Sequence, residues 1–178
     1  VNQSRYTITF NSNNHVDRAV TESWTPPWQN QGLDTDIYHP NDLLVNRRYK
    51  IWWSSDWRLS TRLTYTYDND NNQTLILTEK YDSNTDTWSN VQRSISTYTT
   101  FNKRFTDTTQ IWENNTWKNY NLNTSNYDSL DRFSGYTAQY WDQSNSSWTN
   151  YSRMTYFYNA DNSIKETLAE SWTNNDWK

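Results

Sequence analysis

The residues best suited to chemistry in this 178-residue chain are two histidines, three glutamates at one recurring position, a run of alternating aspartate and asparagine, and rows of tryptophan. His15 and His39 both lie in polar stretches that read as turns. A Ser-His-Asp relay, or a zinc site with two histidine ligands, would have to draw on those two residues. Glu22, Glu79 and Glu170 each precede an aromatic residue by two positions. A pair of carboxylates at a suitable separation can hydrolyse a glycoside. The same position carries Lys50, Gln110 and Gln139 in other copies, so it reads as a solvated ladder and not as a tuned acid. No catalytic residue is assigned, and the expectation is that the chain is not an enzyme. The run Asp68, Asn69, Asp70, Asn71, Asn72 offers alternating oxygen ligands that could hold calcium, with no glutamate downstream at EF-hand spacing. Its other reading is a polar turn whose side chains bond their own backbone. Apart from that calcium possibility, no metal or cofactor is expected. Trp57, Trp88, Trp117 and Trp148 are the ligand-binding candidates, because exposed indoles stack on the apolar faces of pyranose rings. Against this stands the reading in which the rings are the core itself.

Composition favours that second reading. Aromatic residues make up 17% of the chain, with 12 Trp and 14 Tyr, within a hydrophobic total of only 33%. Leucine, isoleucine and valine are too scarce for an aliphatic core of ordinary thickness. Disordered chains are poor in aromatics as well, so an ordered fold stapled by rings is expected. Each buried aromatic side chain removes roughly 150–250 Å² from water. A net charge of −4 leaves no basic stripe for nucleic acid. There is no cysteine for disulfide or thiol chemistry. No apolar run approaches the roughly 20 residues of a membrane helix, and no signal peptide is visible. A mean hydropathy of −1.20 argues against a membrane barrel. The chain begins and ends inside a recurring pattern, so it is expected to be a piece of a longer protein.

The pattern emerges from counting. A first aromatic landmark occurs at Phe10, Tyr38, Tyr67, Tyr98, Tyr127 and Tyr158. Fourteen residues after each comes a second, at Trp24, Trp52, Tyr81, Trp112, Trp141 and Trp172. A third stands at Trp28, Trp57, Trp88, Trp117, Trp148 and Trp177, always ten residues before the next first landmark. Only the gap between second and third varies, from four to seven. The repeats run approximately 1–28, 29–57, 58–88, 89–117, 118–148 and 149–178, as one continuous array.

Threonine- and aromatic-rich runs such as Arg62–Tyr67 read as strands, and apolar residues do not recur at helical spacing. The variable gap reads as a hairpin turn. Asn-Asn in WENNTW (112–117) and WTNNDW (172–177) suits the positive φ angles of a two-residue type I′ turn. Two added residues enlarge the loop in YDSNTDTW and WDQSNSSW and preserve register, whereas WTPPW (24–28) is expected to end differently. The resulting fold is all-β: an up-and-down antiparallel meander of about six hairpins, or about twelve strands, in a single-layer, spiralling or closed sheet. With strict alternation, residues ten apart share a face. Asn119, Asn121, Asn123, Ser125 and Tyr127 would then lie on the side of Trp117, and Arg62, Arg93 and Arg153 on the opposite side. Those arginines are expected to lay their stems over neighbouring rings.

Three segments carry a family resemblance: TYTYDNDNN (64–72), KYDSNTDTWSNVQR (80–93) and YWDQSNSSWTNYSR (140–153). They resemble the hairpin repeats of large secreted surface proteins of Bacteroidota, exported by the type IX system, and distantly the YD repeats of Rhs-type proteins. The glycine usual after the YD turn is missing here, and the second repeat has Ile37–Pro40 in its place. The resemblance implies a secreted or cell-surface, non-catalytic scaffold or adhesive stalk. The alternatives are a carbohydrate-binding module using the Trp and Tyr rows, or a non-catalytic part of a secreted hydrolase. Glycans or other cell-surface proteins would be the partners.

Overall fold

The computed structural model describes residues 3–24 and 27–178. Among them the chain is all-β. The first hairpins are β1 (Ser4–Phe10), β2 (Val16–Trp24), β3 (Trp28–Tyr38) and β4 (Leu44–Trp53). Next come β5 (Asp56–Tyr67), β6 (Gln73–Asp82), β7 (Thr87–Tyr98) and β8 (Arg104–Glu113). The chain continues through β9 (Thr116–Tyr127), β10 (Phe133–Asp142), β11 (Ser147–Tyr158), β12 (Ile164–Thr173) and the short β13 (Asp176–Trp177). Their order in the sheet is their order in the sequence, an open up-and-down antiparallel meander. The two end strands are not neighbours in that order, so the closed alternative is not taken. The thirteenth strand is the return arm of the sixth hairpin. Residues 1–92 and 93–178 form two compact units. No described helix is long and apolar enough to cross a membrane.

The core is thin, as the scarcity of aliphatic residues requires. Only Ala19 and Leu33 are buried hydrophobic residues among those described, and no large side chain is fully buried. Each unit is a single layer, with half-buried rings on both sides.

Two turn types punctuate the meander. Between second and third landmarks, Ser54-Ser55, Asn114-Asn115 and Asn174-Asn175 adopt paired positive φ angles between 47° and 73°. The longer turns carry a single left-handed residue, Asp86 or Ser146. The expectation for WTPPW falls partly on Thr25 and Pro26, which lie outside the described residues. Its flanking Trp24 and Trp28 are nonetheless register partners like the others.

At the other end of the strands one turn recurs in every repeat. The residue after the first landmark donates its N–H to the carbonyl four residues on and accepts from the N–H three residues on, as at Asp68 with Asn72 and Asn71. The third residue beyond it is left-handed: Asn14, Asp42, Asn71, Asn102, Asp131 or Asn162, with φ from 58° to 67°. Asparagine and aspartate therefore do here what glycine does in the resembled repeats.

Strict alternation fails at one point in each of the long strands β3, β5, β9 and β11. Leu59 pairs with Lys50 and Thr61 with Tyr49, which leaves Ser60 as a bulge. Gln31, Tyr120 and Tyr151 are skipped in the same way. A bulge advances the chain by one residue without turning it over. Arg48 and Trp52 share a face of β4, and their partners are Arg62 and Trp57. Trp57 and Arg62 therefore share a face although five residues apart, and Tyr67, five further on, lies opposite. The arginines stand on the tryptophan face, and the first-landmark tyrosines, with Asn121 and Asn123, on the other. This reverses the assignment that even spacing gives.

Candidate functional site

The tryptophan face is built from a repeating clamp. Each hairpin brings its second and third landmarks together one rung from the turn. Trp57 meets Trp52 at 5.1 Å between ring centres, Trp88 meets Tyr81 at 5.2 Å, Trp117 meets Trp112 at 4.9 Å and Trp148 meets Trp141 at 5.0 Å. The planes are tilted or edge-on, the arrangement aromatic quadrupoles favour. All four candidate tryptophans are half-buried.

An arginine from the preceding long strand covers some of these rings. The guanidinium carbons of Arg5, Arg62, Arg93 and Arg153 lie 4.8, 4.6, 4.6 and 4.6 Å from the ring centres of Trp28, Trp88, Trp117 and Trp177. Each arginine is fixed by an acceptor on the strand in between, seventeen residues later in sequence: Glu22, Glu79, Gln110 and Glu170. The glutamates accept two bonds each, with Nη2 to Oε1 at 2.7–2.8 Å. Glu22 and Glu79 are only 9% and 7% exposed, so at these two copies the expected solvated ladder is instead a buried carboxylate held by a partly exposed arginine. Donation from Arg5 holds the Glu22 carboxyl below the usual carboxylate range, and Arg153 does the same for Glu170. In the second and fifth repeats the pair is Leu33 with Lys50, and Leu122 with Gln139. Trp57 and Trp148 belong to those repeats and Trp88 and Trp117 to repeats with the arginine clamp.

The opposite face differs from repeat to repeat. In residues 1–92, Arg47 donates through Nε and Nη2 to the buried Asp36, at 2.7 and 2.6 Å. Burial beside this pair pushes the Asp34 carboxyl and the Tyr65 phenol up. In residues 93–178, Ser94 and Ser96 both donate to Asp107, at 2.7 and 2.8 Å. First-landmark phenols act as pins: Tyr67 donates to the Leu44 carbonyl, Tyr127 to Arg104 and Tyr158 to Phe133, at 2.9, 2.8 and 2.6 Å.

The junction of the fifth and sixth repeats is different again. Here the face opens into a cleft of about 610 Å³, walled by Tyr120, Tyr136, Tyr140 and Tyr151 and floored by Asn121 and Asn123. Tyr120, Tyr140 and Tyr151 are 57%, 47% and 65% exposed. Tyr120 and Tyr151 are the bulge residues of β9 and β11, where other repeats have Gln31 and Ser60. The landmark count passes over these tyrosines because they occupy no recurring aromatic position. The available signal was an aromatic residue at a position held elsewhere by a small or polar one.

The other candidates are absorbed by turns. Asp68 Oδ1 accepts the N–H groups of Asp70 and Asn72 at 2.9 Å each, which holds its carboxyl low. No group of three or more acidic, histidine or cysteine side chains able to hold a metal occurs among the described residues. His15 stacks on Tyr38 with 4.7 Å between ring centres, and His39 Nδ1 lies 2.7 Å from Asn41 Oδ1.

No protein-family model matches the sequence, and no curated protein matches it. Among solved structures the chain is similar to a protein of unknown function from Bacteroides fragilis NCTC 9343. The two are 15% identical with a TM-score of 0.58, over 69% of this chain and 90% of that one. Weaker likenesses are to two DUF3836 family proteins. One, from Parabacteroides distasonis ATCC 8503, is 17% identical with TM-score 0.41, over 50% of this chain and 84% of that one. The other, from Bacteroides vulgatus ATCC 8482, is 13% identical with TM-score 0.38, over 78% and 97%. What the first likeness establishes is the fold, a sheet architecture shared with a Bacteroides protein.

Proposed function

We propose that the chain is a non-catalytic segment of a secreted Bacteroidota cell-surface protein, serving as a repeat scaffold or adhesive stalk. The carrying observation is the clamp of tryptophan, arginine and glutamate or glutamine, built on one plan in four of the repeats. Each clamp ties three consecutive strands, so stability accrues between nearest neighbours, as in other repeat proteins. The Trp88 ring is tilted against one aromatic partner and the Trp117 ring edge-on to another, and each is covered by a guanidinium. That favours a load-carrying role over a sugar platform at Trp88 and Trp117. Export by the type IX system follows from the sequence resemblance.

Excision of one whole repeat, residues 58–88, tests the reading. The shortened chain is expected to keep its strand circular dichroism and to lose length in solution scattering in proportion. Collapse of the whole fold, or abolition of a defined turnover by the excision, would sink it.

A further inference from the structure

The tryptophan face repeats one clamp in four of the repeats, whereas the opposite face, apart from its first-landmark rings, changes its side chains from repeat to repeat. A face that varies on a constant scaffold is suited to recognition, and where the fifth repeat meets the sixth it gathers three exposed tyrosines, Tyr120, Tyr140 and Tyr151, around one cleft. From the cleft of Tyr120, Tyr136, Tyr140 and Tyr151, we infer that β9, β10 and β11 form a binding site for a neutral oligosaccharide.

The geometry follows from the strands. Tyr140 pairs with Asn121 on one side and Thr149 on the other, and it adjoins Trp141, so it points away from the tryptophan face. Tyr136 lies four residues away on the same side of β10. Tyr120 and Tyr151 are the bulge residues of the two flanking strands. Released from pairing across the ladder, they stand as side walls about the central strand. Three largely exposed phenol rings then offer flat faces to the C–H faces of pyranose rings.

The polar groups narrow the ligand. None of the residues lining the cleft is charged, so the site is matched to a neutral partner. On the floor, the buried Asn121 Oδ1 has no hydrogen-bond partner among the described residues. A buried acceptor left unsatisfied is costly, and a ligand that donates to it once the Asn121 amide turns toward the cleft recovers that cost. Sugar hydroxyls donate. Polyproline segments also favour aromatic-lined grooves, but their backbone carries no N–H to give. An oligosaccharide therefore satisfies both walls and floor, and a proline-rich peptide satisfies only the walls.

The test uses the full chain titrated calorimetrically with cellohexaose, xylohexaose, mannohexaose and chitohexaose, with decaproline as the competing probe. At least one hexasaccharide is expected to bind. Tyr120→Ala and Tyr151→Ala should each weaken that binding by about tenfold or more at unchanged melting temperature. Asn121→Ala should also weaken it. Trp57→Phe should leave it intact, which separates this cleft from the tryptophan rows. Should Tyr140→Ala unfold β10, the two bulge tyrosines still carry the test, because neither is paired across the ladder. Three results would overturn the inference: no hexasaccharide binds, binding is indifferent to the tyrosines, or decaproline binds in place of the sugars. Each is distinct from failure of the scaffold reading, which shows in the repeat excision.

Discussion

The Arg62 guanidinium lies over the Trp88 ring, 4.6 Å from its centre, reaching across β6 from β5 to β7. On the way its Nη2 donates to Glu79 Oε1 at 2.8 Å. One side chain thus joins three strands in a sheet with almost no aliphatic core. Arg62→Ala is expected to cost about 1–3 kcal/mol in denaturant unfolding, because it removes the stacking and strands a buried carboxylate. Arg62→Lys should recover little, since an ammonium cannot make the planar fork and lie flat on the indole together. A double-mutant cycle with Trp88→Leu checks the coupling. Additive effects would show that the stacking contributes nothing.

Acid should weaken the clamps in a definite direction. Glu22 and Glu170 are held low by Arg5 and Arg153, so their folded pKa values lie below their unfolded ones. The stability they contribute is complete above the unfolded value, about pH 4.3, and is lost as pH falls through the folded value. Glu22→Gln and Glu170→Gln should each flatten the decline in melting temperature below about pH 4.5. Asp34 has the opposite sign, since burial raises its pKa and penalises its charged form at neutral pH. Asp34→Asn should raise the melting temperature at pH 7, with the gain fading as the solution is acidified. Parallel pH profiles for the three variants would contradict this assignment.

The turn at Ser54-Ser55 can be improved. Both serines are left-handed, with φ of 47° and 73°, a region that costs an L-residue about 1–2 kcal/mol unless a short side chain such as asparagine relieves it. Asn114-Asn115 occupies the corresponding turn of the fourth repeat at 49° and 59°. Ser54→Asn with Ser55→Gly should stabilise the chain by about 1 kcal/mol in thermal or urea melts, because Asn-Gly is the preferred type I′ pair. No gain would mean that the serines are held by contacts the turn geometry does not reveal.

How far the sequence could be read depended on which quantity the physics made periodic. Landmark spacing revealed the hairpins, because cross-strand ring pairs such as Trp112 and Trp117 must fall opposite one another whatever the loop length. The turns were legible for the same reason, through the Asn pairs. The faces were not. Ser60, Gln31, Tyr120 and Tyr151 each add one residue to their long strand, and such a bulge leaves no mark on a spacing that stays at ten residues. Arg62 and Glu79 consequently looked like residues of opposite faces when they are partners. The tyrosine cleft was hidden for a related reason, since Tyr120 and Tyr151 acquire their exposure from the bulge and not from the repeat. Asp68 was legible as a turn residue by its place after a landmark, which Asp128 and Asn11 share.

The two glycines should respond oppositely to substitution. Gly135 has φ of +140°, and a Cβ built there would fall 1.9 Å from the Met154 carbonyl oxygen on the adjacent strand. Backbone occupies the space that a side chain needs, and neither strand can retreat without breaking the pairing of Gly135 with Thr155. Gly135→Ala is therefore expected to cost about 3 kcal/mol or more, enough to disrupt β10 and with it the floor of the cleft. Gly32 meets nothing within 4 Å and shows no left-handed φ. Gly32→Ala should be neutral or stabilise by about 0.5–1 kcal/mol, by restricting the unfolded chain. Melting curves of the two variants decide the matter. Equal tolerance at both positions would mean that β10 and β11 do not approach as closely as the backbone geometry requires.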